Sequence, residues 1–214
     1  MNLYDFLIIK NNVISDFYCN NLMRVANETT HDDAETIEGK EIKKETETFD
    51  FTLEDFTTED PEGVPSKVTP DRVTLRYHLP TEIQSWIERK ISECYKEYIG
   101  PRYRCEFDGY ELAQLLGYPV GGHYVRHNDS ETFMDGKWKR VCDRDISFIF
   151  YLNEEFGGGE LEFNDLGLTI KPKRGMMVVF PSYHEFSHQV HPVTWGHRYS
   201  IVGWLKTKER IYER

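Results

Sequence analysis

The spacing of hydrophobic positions along the chain changes near residue 108. Before this point, apolar residues recur at helical spacing behind Asp16 and again, with many aromatic side chains, behind Thr81-Glu82-Ile83-Gln84. Asp16 is a typical helix N-cap residue, the second segment resembles a capping box, and Gly100-Pro101 is typical of a helix end. The pattern therefore predicts two helices, of which the second packs its aromatic stripe against a sheet.

After residue 108 short runs rich in Val, Ile, Phe and Tyr alternate with turn residues, which is the pattern of a β protein. About eight short strands at this spacing predict a mainly β (α+β) fold. The expected architecture is a double-stranded β-helix, the cupin-like jelly roll, with N-terminal helices packed outside it. The predicted strands are residues 6–9, 110–118, 122–127, 145–152, 160–163, 168–170, 176–180, 187–191 and 198–205.

The length of 214 residues suits a single domain and hardly allows two. We divide residues 1–214 into an N-terminal part, 1–107, and a jelly-roll catalytic core, 108–206. Within the first part, residues 29–70 are rich in Asp, Glu and Thr, and we interpret them as a solvated acidic insertion. The alternative is a flap over the active-site mouth, in which alternating Phe49, Phe51 and Leu53 form a strand.

Composition restricts the class of function. The formal net charge of −11 disfavours a nucleic-acid-binding surface and favours a peptide or protein partner of basic character. The four cysteines lie far apart without a CxxC pair, which disfavours zinc knuckles and disulfide frameworks and indicates a reducing, cytoplasmic location. No apolar run reaches the length of a membrane span, and the first residues do not resemble a signal peptide. The oligomeric state does not follow from the sequence.

His127-x-Asp129 places an imidazole and a carboxylate on the same face of a strand, where both can bind one transition-metal ion. A third ligand must come from elsewhere, and His188 is the best candidate, with His184 as its competitor. His123 shares the strand parity of the pair, but along an extended chain it lies too far from Asp129. Two histidines and one carboxylate form the facial triad of non-haem Fe(II) oxygenases, which leaves coordination positions open.

Arg198 and Ser200 share one face of an otherwise apolar strand. A guanidinium that points inward there needs a carboxylate partner, yet the sequence contains no Asp or Glu between Glu185 and Glu209. A dicarboxylate ligand supplies the missing charge through a bidentate pair. Tyr151 is positioned to donate its hydroxyl to the same carboxylate.

Several motifs then follow one another in a fixed order. This ordered set resembles the prolyl 4-hydroxylase-type family of Fe(II)/2-oxoglutarate dioxygenases over about residues 110–206, whereas the first 107 residues resemble it only loosely. The set comprises HxD at 127–129, Tyr-Leu-Asn at 151–153, Gly-Gly-Glu-Leu-Glu-Phe at 158–163, Gly175 to Phe180-Pro181, His188-x-Val190-x-Pro192-Val193 and Arg198-Tyr199-Ser200.

The resemblance implies a role for each matching residue. His127, Asp129 and His188 are expected to bind Fe(II), and Arg198 to hold the distal carboxylate of 2-oxoglutarate with help from Tyr151. Tyr118 is similar to a tyrosine that contacts the cosubstrate in the family. The cosubstrates are then 2-oxoglutarate and O2, with ascorbate as reductant and succinate and CO2 as products. A carboxylate at position 129 indicates hydroxylation, because related halogenases carry a small residue there.

The resemblance also implies a target, an unactivated C–H bond of a prolyl residue in a peptide or protein. Arg144, Tyr124 and Trp204 are candidate substrate contacts, and Trp204 counts against the nucleic-acid demethylases of the wider superfamily. Residues 130–143 either border the mouth of the site or form a plain hairpin. Two alternatives stay open, namely the same chemistry on a lysyl residue, free amino acid or other small molecule, and a non-catalytic metal-binding jelly-roll module.

Overall fold

The computed structural model describes residues 3–35, 72–77, 79–209 and 211, with only the backbone described for 27–35 and 73. Most of the acidic segment predicted at 29–70 lies outside these ranges, as does the strand predicted around Phe49, Phe51 and Leu53. Both interpretations of that segment therefore stay predictions. Among the described residues, no helix has the length and apolar character needed to cross a bilayer.

Both predicted helices are present in the described chain. The first is α1 (Asp16–Glu35), and the second is α2 (Thr81–Cys94), which continues through a π-helical turn (Tyr95–Ile99) into α3 (Gly100–Tyr103). Short 3-10 turns occur at Leu3–Phe6, Asn164–Leu166 and His184–Phe186.

The capping box predicted for α2 is wrong. The helix begins at Thr81, but Pro80 occupies the N-cap position and no side chain caps the first N–H groups. The Gln84 backbone N–H donates to the Pro80 carbonyl at 2.9 Å. Because the ring of Pro80 already holds φ at −54°, the chain enters the helix without a side-chain cap.

The helix end predicted at Gly100-Pro101 is also wrong. The chain remains helical to Tyr103 and ends at Arg104, which adopts a left-handed conformation with φ 50°. The π-helical turn before Gly100 widens the helix, and Pro101 follows this turn near the start of α3. The proline is therefore accommodated without ending the helix.

The described chain contains sixteen strands, and the predicted mainly β character is confirmed. They are β1 (Ile8–Lys10), β2 (Arg72–Val73), β3 (Leu75–Tyr77), β4 (Phe107–Tyr110), β5 (Gln114–Tyr118), β6 (His123–His127), β7 (Glu131–Met134), β8 (Lys137–Arg140), β9 (Ile146–Tyr151), β10 (Phe156–Gly158), β11 (Leu161–Phe163), β12 (Leu168–Ile170), β13 (Met177–Pro181), β14 (His188–Val190), β15 (Val193–Gly196) and β16 (Arg198–Thr207).

Two antiparallel sheets build the jelly roll. The larger has the order β1-β13-β9-β16-β5-β3, with β4 also paired to β16, and the smaller has the order β12-β11-β14-β6-β2. Strands β1 and β3 extend the larger sheet and β2 extends the smaller one, so the N-terminal part of the chain contributes to both. The predicted double-sheet architecture is confirmed.

Two connections differ from the predicted strands. The strand predicted at 110–118 is two strands, β4 and β5, which pair with different parts of the long strand β16. Residues 130–143 contain the hairpin β7–β8, whose turn residues Asp135 and Gly136 have φ values of 53° and 77°. An Asp-Gly pair with two positive φ values is the sequence signal of a tight hairpin turn.

The larger sheet has a hydrophobic cluster on each face. Along β9, Phe148 and Phe150 pack in the cluster that includes α1 and α2, whereas Ile149 and Tyr151 pack in the cluster that includes the smaller sheet. Ser147 shares the parity of Ile149 and is also buried. Polar side chains on this second face therefore lie inside the jelly roll, between the two sheets.

Candidate active site

His127, Asp129 and His188 converge in the structure. Their ligand atoms all lie within 4.8 Å of one another. His127 Nε2 is 3.6 Å from Asp129 Oδ1, and His188 Nε2 is 4.0 Å from Asp129 Oδ2. The antiparallel pairing of β14 with β6 sets His188 directly opposite His127. A contact between distant parts of the sequence thus brings the three side chains together.

Backbone carbonyls orient both imidazoles. His127 Nδ1–H donates to the Val125 carbonyl at 2.9 Å, and His188 Nδ1–H donates to the Phe186 carbonyl at 3.0 Å. A carbonyl only accepts, so the proton resides on Nδ1 and the lone pair of each Nε2 points toward the shared centre. Burial, followed by the neighbouring His127, lowers the pKa of His188 to about 4, so this imidazole is neutral at neutral pH.

Asp129 is held in its charged form by the groups around it. The Ser147 hydroxyl donates to Asp129 Oδ2 at 2.5 Å and lies 2.8 Å from the hydroxyl of Ser182. Burial alone would raise the pKa of Asp129, but His127, His188 and Ser147 together outweigh it and hold this pKa below its ordinary value. The carboxylate is therefore ionised and oriented as a ligand.

Arg198 is the largest fully buried side chain of the described chain, with 1% exposure. Its guanidinium carbon lies 4.5 Å from the ring centroid of Tyr118 and 5.0 Å from that of Tyr151, and Nη1 donates to the Ser200 hydroxyl at 3.2 Å. Among the described residues it has no carboxylate partner, and its Nε and the Tyr151 hydroxyl are buried without hydrogen-bond partners. Burial raises the pKa of Tyr151, so this phenol keeps its proton as a donor.

The three tentative substrate contacts all line the cavity that contains these groups. Tyr124 stacks on the His127 imidazole, with 3.5 Å between ring centroids. Arg144 stacks on Trp204, with 3.6 Å from its guanidinium carbon to the ring centroid. Arg144 is also paired in bidentate fashion with Glu111, at 2.7 Å for each bond, so its charge is already balanced within the protein.

The competing histidines lie elsewhere. His184 pairs with Glu131 at 2.6 Å and stacks on Trp138, outside the triad. His123 is close to the triad in sequence, but its ring nitrogen lies 2.8 Å from the Gly121 carbonyl oxygen. Neither His184 nor His123 lines the cavity.

The sequence analysis did not identify several supporting residues. Ser147 and Ser182 orient the Asp129 carboxylate, Glu111 neutralises Arg144, and Arg72 lines the cavity wall. Only Ser147 carried a local signal, because it is a polar residue on the inward face of an otherwise apolar strand. The other contacts depend on how separate segments pack.

Residues 113–206 match the model of the 2OG-Fe(II) oxygenase superfamily. This match covers the part of the chain that holds most strands of the two sheets and the three converging side chains, and less than half of the whole sequence. A PKHD-type hydroxylase of Hyphomonas neptunium is 36% identical over 91 residues, covering 41% of this chain and 39% of the relative. Prolyl 3-hydroxylase 2 of Mus musculus is 39% identical over 74 residues, covering 32% of this chain and 10% of the relative. The chain thus matches well under half the length of either relative.

Solved structures of prolyl hydroxylases share the fold of this chain. The viral collagen prolyl hydroxylase of Paramecium bursaria Chlorella virus-1, in its 2OG complex, aligns with a TM-score of 0.63 at 20% identity, over 94% of this chain and 95% of that chain. The prolyl hydroxylase of Trichoplax adhaerens, in complex with a hypoxia inducible factor peptide fragment, aligns with a TM-score of 0.62 at 16% identity, over 97% and 86%. The resemblance to the prolyl 4-hydroxylase type is confirmed.

The cavity fits the groups that the matching family implies, Fe(II), 2-oxoglutarate and O2. Two Nε2 atoms and one ionised carboxylate form an open facial donor set that suits Fe(II). The orphaned Nε of Arg198 and hydroxyl of Tyr151 are the donors that a buried ligand carboxylate requires. Both sets of groups line one cavity.

Proposed function

We propose that this protein is an Fe(II)- and 2-oxoglutarate-dependent dioxygenase that hydroxylates a prolyl residue of a peptide or protein. One observation carries the proposal: an open triad of metal ligands shares a cavity with a buried arginine that has no carboxylate partner in the described chain. The prolyl substrate is supported by relatives that are named prolyl hydroxylases and by the peptide bound to the Trichoplax enzyme.

One set of residues would bind the metal ion, and another set would bind the cosubstrate. His127, Asp129 and His188 would hold Fe(II) on one side, and Arg198 and Tyr151 would bind the distal carboxylate of 2-oxoglutarate. Bound together, Fe(II), 2-oxoglutarate and O2 supply oxidative decarboxylation to succinate and CO2 and transfer of one oxygen atom to a C–H bond. Phe180 and Val190 are among the apolar residues that line this cavity beside the polar groups.

Gly159 allows Arg198 to reach its position. The glycine adopts φ +67°, and a Cβ added there would lie 3.0 Å from Arg198 Cδ. A larger residue would therefore press on the stem of the guanidinium that binds the cosubstrate.

The net charge of the protein affects how a charged substrate approaches it. A net charge of −11 supports long-range attraction of peptides with a net positive charge. We further propose ascorbate as the reductant that sustains turnover.

The test is succinate production from 2-oxoglutarate with Fe(II), ascorbate and a library of proline-containing peptides, read by mass spectrometry for one added oxygen atom. Wild-type protein should hydroxylate proline, and Asp129→Ala should abolish both products. Oxygen added to lysine or to a free amino acid would refute the prolyl substrate alone. An absence of succinate with every peptide and amino acid would instead favour the non-catalytic binding module.

A further inference from the structure

A second arginine reaches the wall of the cavity from the smaller sheet. Arg72 on β2 lies opposite Tyr124 on β6 in the antiparallel ladder. Its guanidinium carbon is 4.8 Å from the centroid of the Tyr124 ring, and the same ring stacks on the His127 imidazole. Arg72 therefore lines the cavity, and the Tyr124 ring contacts both Arg72 and the predicted metal ligand His127.

Arg72 has no anionic partner in the part of the chain that the structure describes. Its Nε is buried and makes no hydrogen bond, and apart from its position over the Tyr124 ring its side chain forms no ion pair or hydrogen bond with a described residue. The Tyr124 hydroxyl likewise forms no hydrogen bond with a described residue. Two adjacent donors, one of them cationic, thus face the cavity together.

The charges of the other lining groups are accounted for. Glu111 neutralises Arg144 within the protein. Under the proposed function, the dianionic cosubstrate and Asp129 together balance Arg198 and a divalent metal ion. Arg72 is then the cation that remains in the lining without a partner. A buried or half-buried guanidinium beside a free hydroxyl is the same donor pair that Arg198 and Tyr151 form.

We propose that Arg72 and the Tyr124 hydroxyl bind a carboxylate of the substrate next to the carbon that is hydroxylated. This inference rests on the proposed function, which places the reacting C–H bond in the cavity that Arg72 and Tyr124 line. The carboxylate has two possible sources: an Asp or Glu side chain beside the target residue, or the α-carboxylate of a C-terminal or free amino acid. Net surface charge acts at long range, whereas Arg72 acts on a group in direct contact, so a substrate with positive charge elsewhere remains compatible.

The experiment measures binding and turnover separately. Binding of capped proline peptides with Glu, Gln or Lys beside the proline is measured by calorimetry without oxygen, on protein loaded with Fe(II) and 2-oxoglutarate. A second series compares a C-terminal proline as free acid and as amide, together with free L-proline. The variant is Arg72→Gln, and its matched control is Arg126→Gln, because Arg126 lies on β6 but pairs with Asp165 at the exposed surface.

Wild-type protein should bind the carboxylate form of one series about tenfold more tightly than its neutral isostere, as expected for a charge-assisted hydrogen bond. Arg72→Gln should abolish this preference, and Arg126→Gln should retain it. The series that shows the preference identifies the source of the carboxylate. Equal binding of acid and neutral forms in both series, or a preference that survives Arg72→Gln, would overturn the inference. A preference in binding without hydroxylation or succinate would overturn the proposed function and leave the carboxylate site standing.

Discussion

Replacing Arg198 with Met separates a ligand-binding arginine from a structural one. The side chain is 1% exposed, and no described carboxylate neutralises it. A structural buried ion pair loses about 3–5 kcal/mol when one partner is removed, because the other charge is left uncompensated. Arg198 leaves no such partner behind, and methionine fills much of the space of its aliphatic stem.

The expected magnitudes follow from these contacts. The variant loses the hydrogen bond to Ser200 and the contacts with Tyr118 and Tyr151. This loss is offset because the variant no longer buries a charge, and burying that charge costs the wild-type protein several kcal/mol. We therefore expect Arg198→Met to change the free energy of unfolding without 2-oxoglutarate by less than about 1 kcal/mol. Binding of 2-oxoglutarate should weaken by about 2–5 kcal/mol, because a buried charge pair with the ligand is lost.

The assay is urea denaturation with and without 2-oxoglutarate in the presence of a divalent metal ion. At a hundredfold excess over the wild-type Kd, the ligand should stabilise wild-type protein by about 2.7 kcal/mol and Arg198→Met by less than about 0.9 kcal/mol. Arg140→Met is the matched control, because Arg140 pairs with buried Asp145 at 2.8 Å and its removal should cost about 3 kcal/mol without ligand. The reasoning is refuted if Arg198→Met destabilises the ligand-free protein as much as Arg140→Met does.

Three further predictions concern the groups that support the site. Ser147→Ala should weaken metal binding about tenfold to a hundredfold, since the hydroxyl orients the ligand carboxylate; an unchanged affinity in a metal titration would contradict this role. Asp145 is buried, and its hydrogen bonds lower its pKa by more than burial raises it. Asp145→Asn should therefore lower the free energy of unfolding at pH 7 by about 1.5–3 kcal/mol. The stabilising contribution of Asp145 is complete above its unfolded pKa of about 3.9 and is lost as the pH falls through its lower folded pKa. In urea denaturation, the difference in free energy of unfolding between wild type and Asp145→Asn should therefore narrow below about pH 4. An equal difference at pH 7 and pH 3 would contradict this prediction. Gly159→Ala should weaken 2-oxoglutarate binding, measured by calorimetry, whereas Gly167→Ala, which has a similar positive φ but nothing within 4 Å of its added Cβ, should carry only the backbone strain of about 1–2 kcal/mol. Equal 2-oxoglutarate affinities in the two glycine variants would exclude the contact with the arginine stem.

Local patterns determined the class of fold and the identity of the chemical groups. Alternation along β9 and β16 follows from the geometry of a strand, so the inward positions of Tyr151, Arg198 and Ser200 could be read from residue order alone. The pairing of His127 with Asp129 was predictable for the same reason. Helix ends were harder to predict from the sequence. The π-helical turn before Gly100 lets the helix continue past a Gly-Pro pair that usually ends one.

Contacts between distant segments decided the rest. The register of β14 against β6 sets His188, and not His184, opposite His127, and a pairing register depends on the packing of both faces of a sheet. The bidentate bond to Glu111 turns Arg144 from a free cation into a neutralised pair, whereas Arg72 keeps its charge unpaired within the described chain. The sequence thus determined which groups are present, and only the tertiary structure decided which of their charges and hydrogen bonds remain available to a ligand.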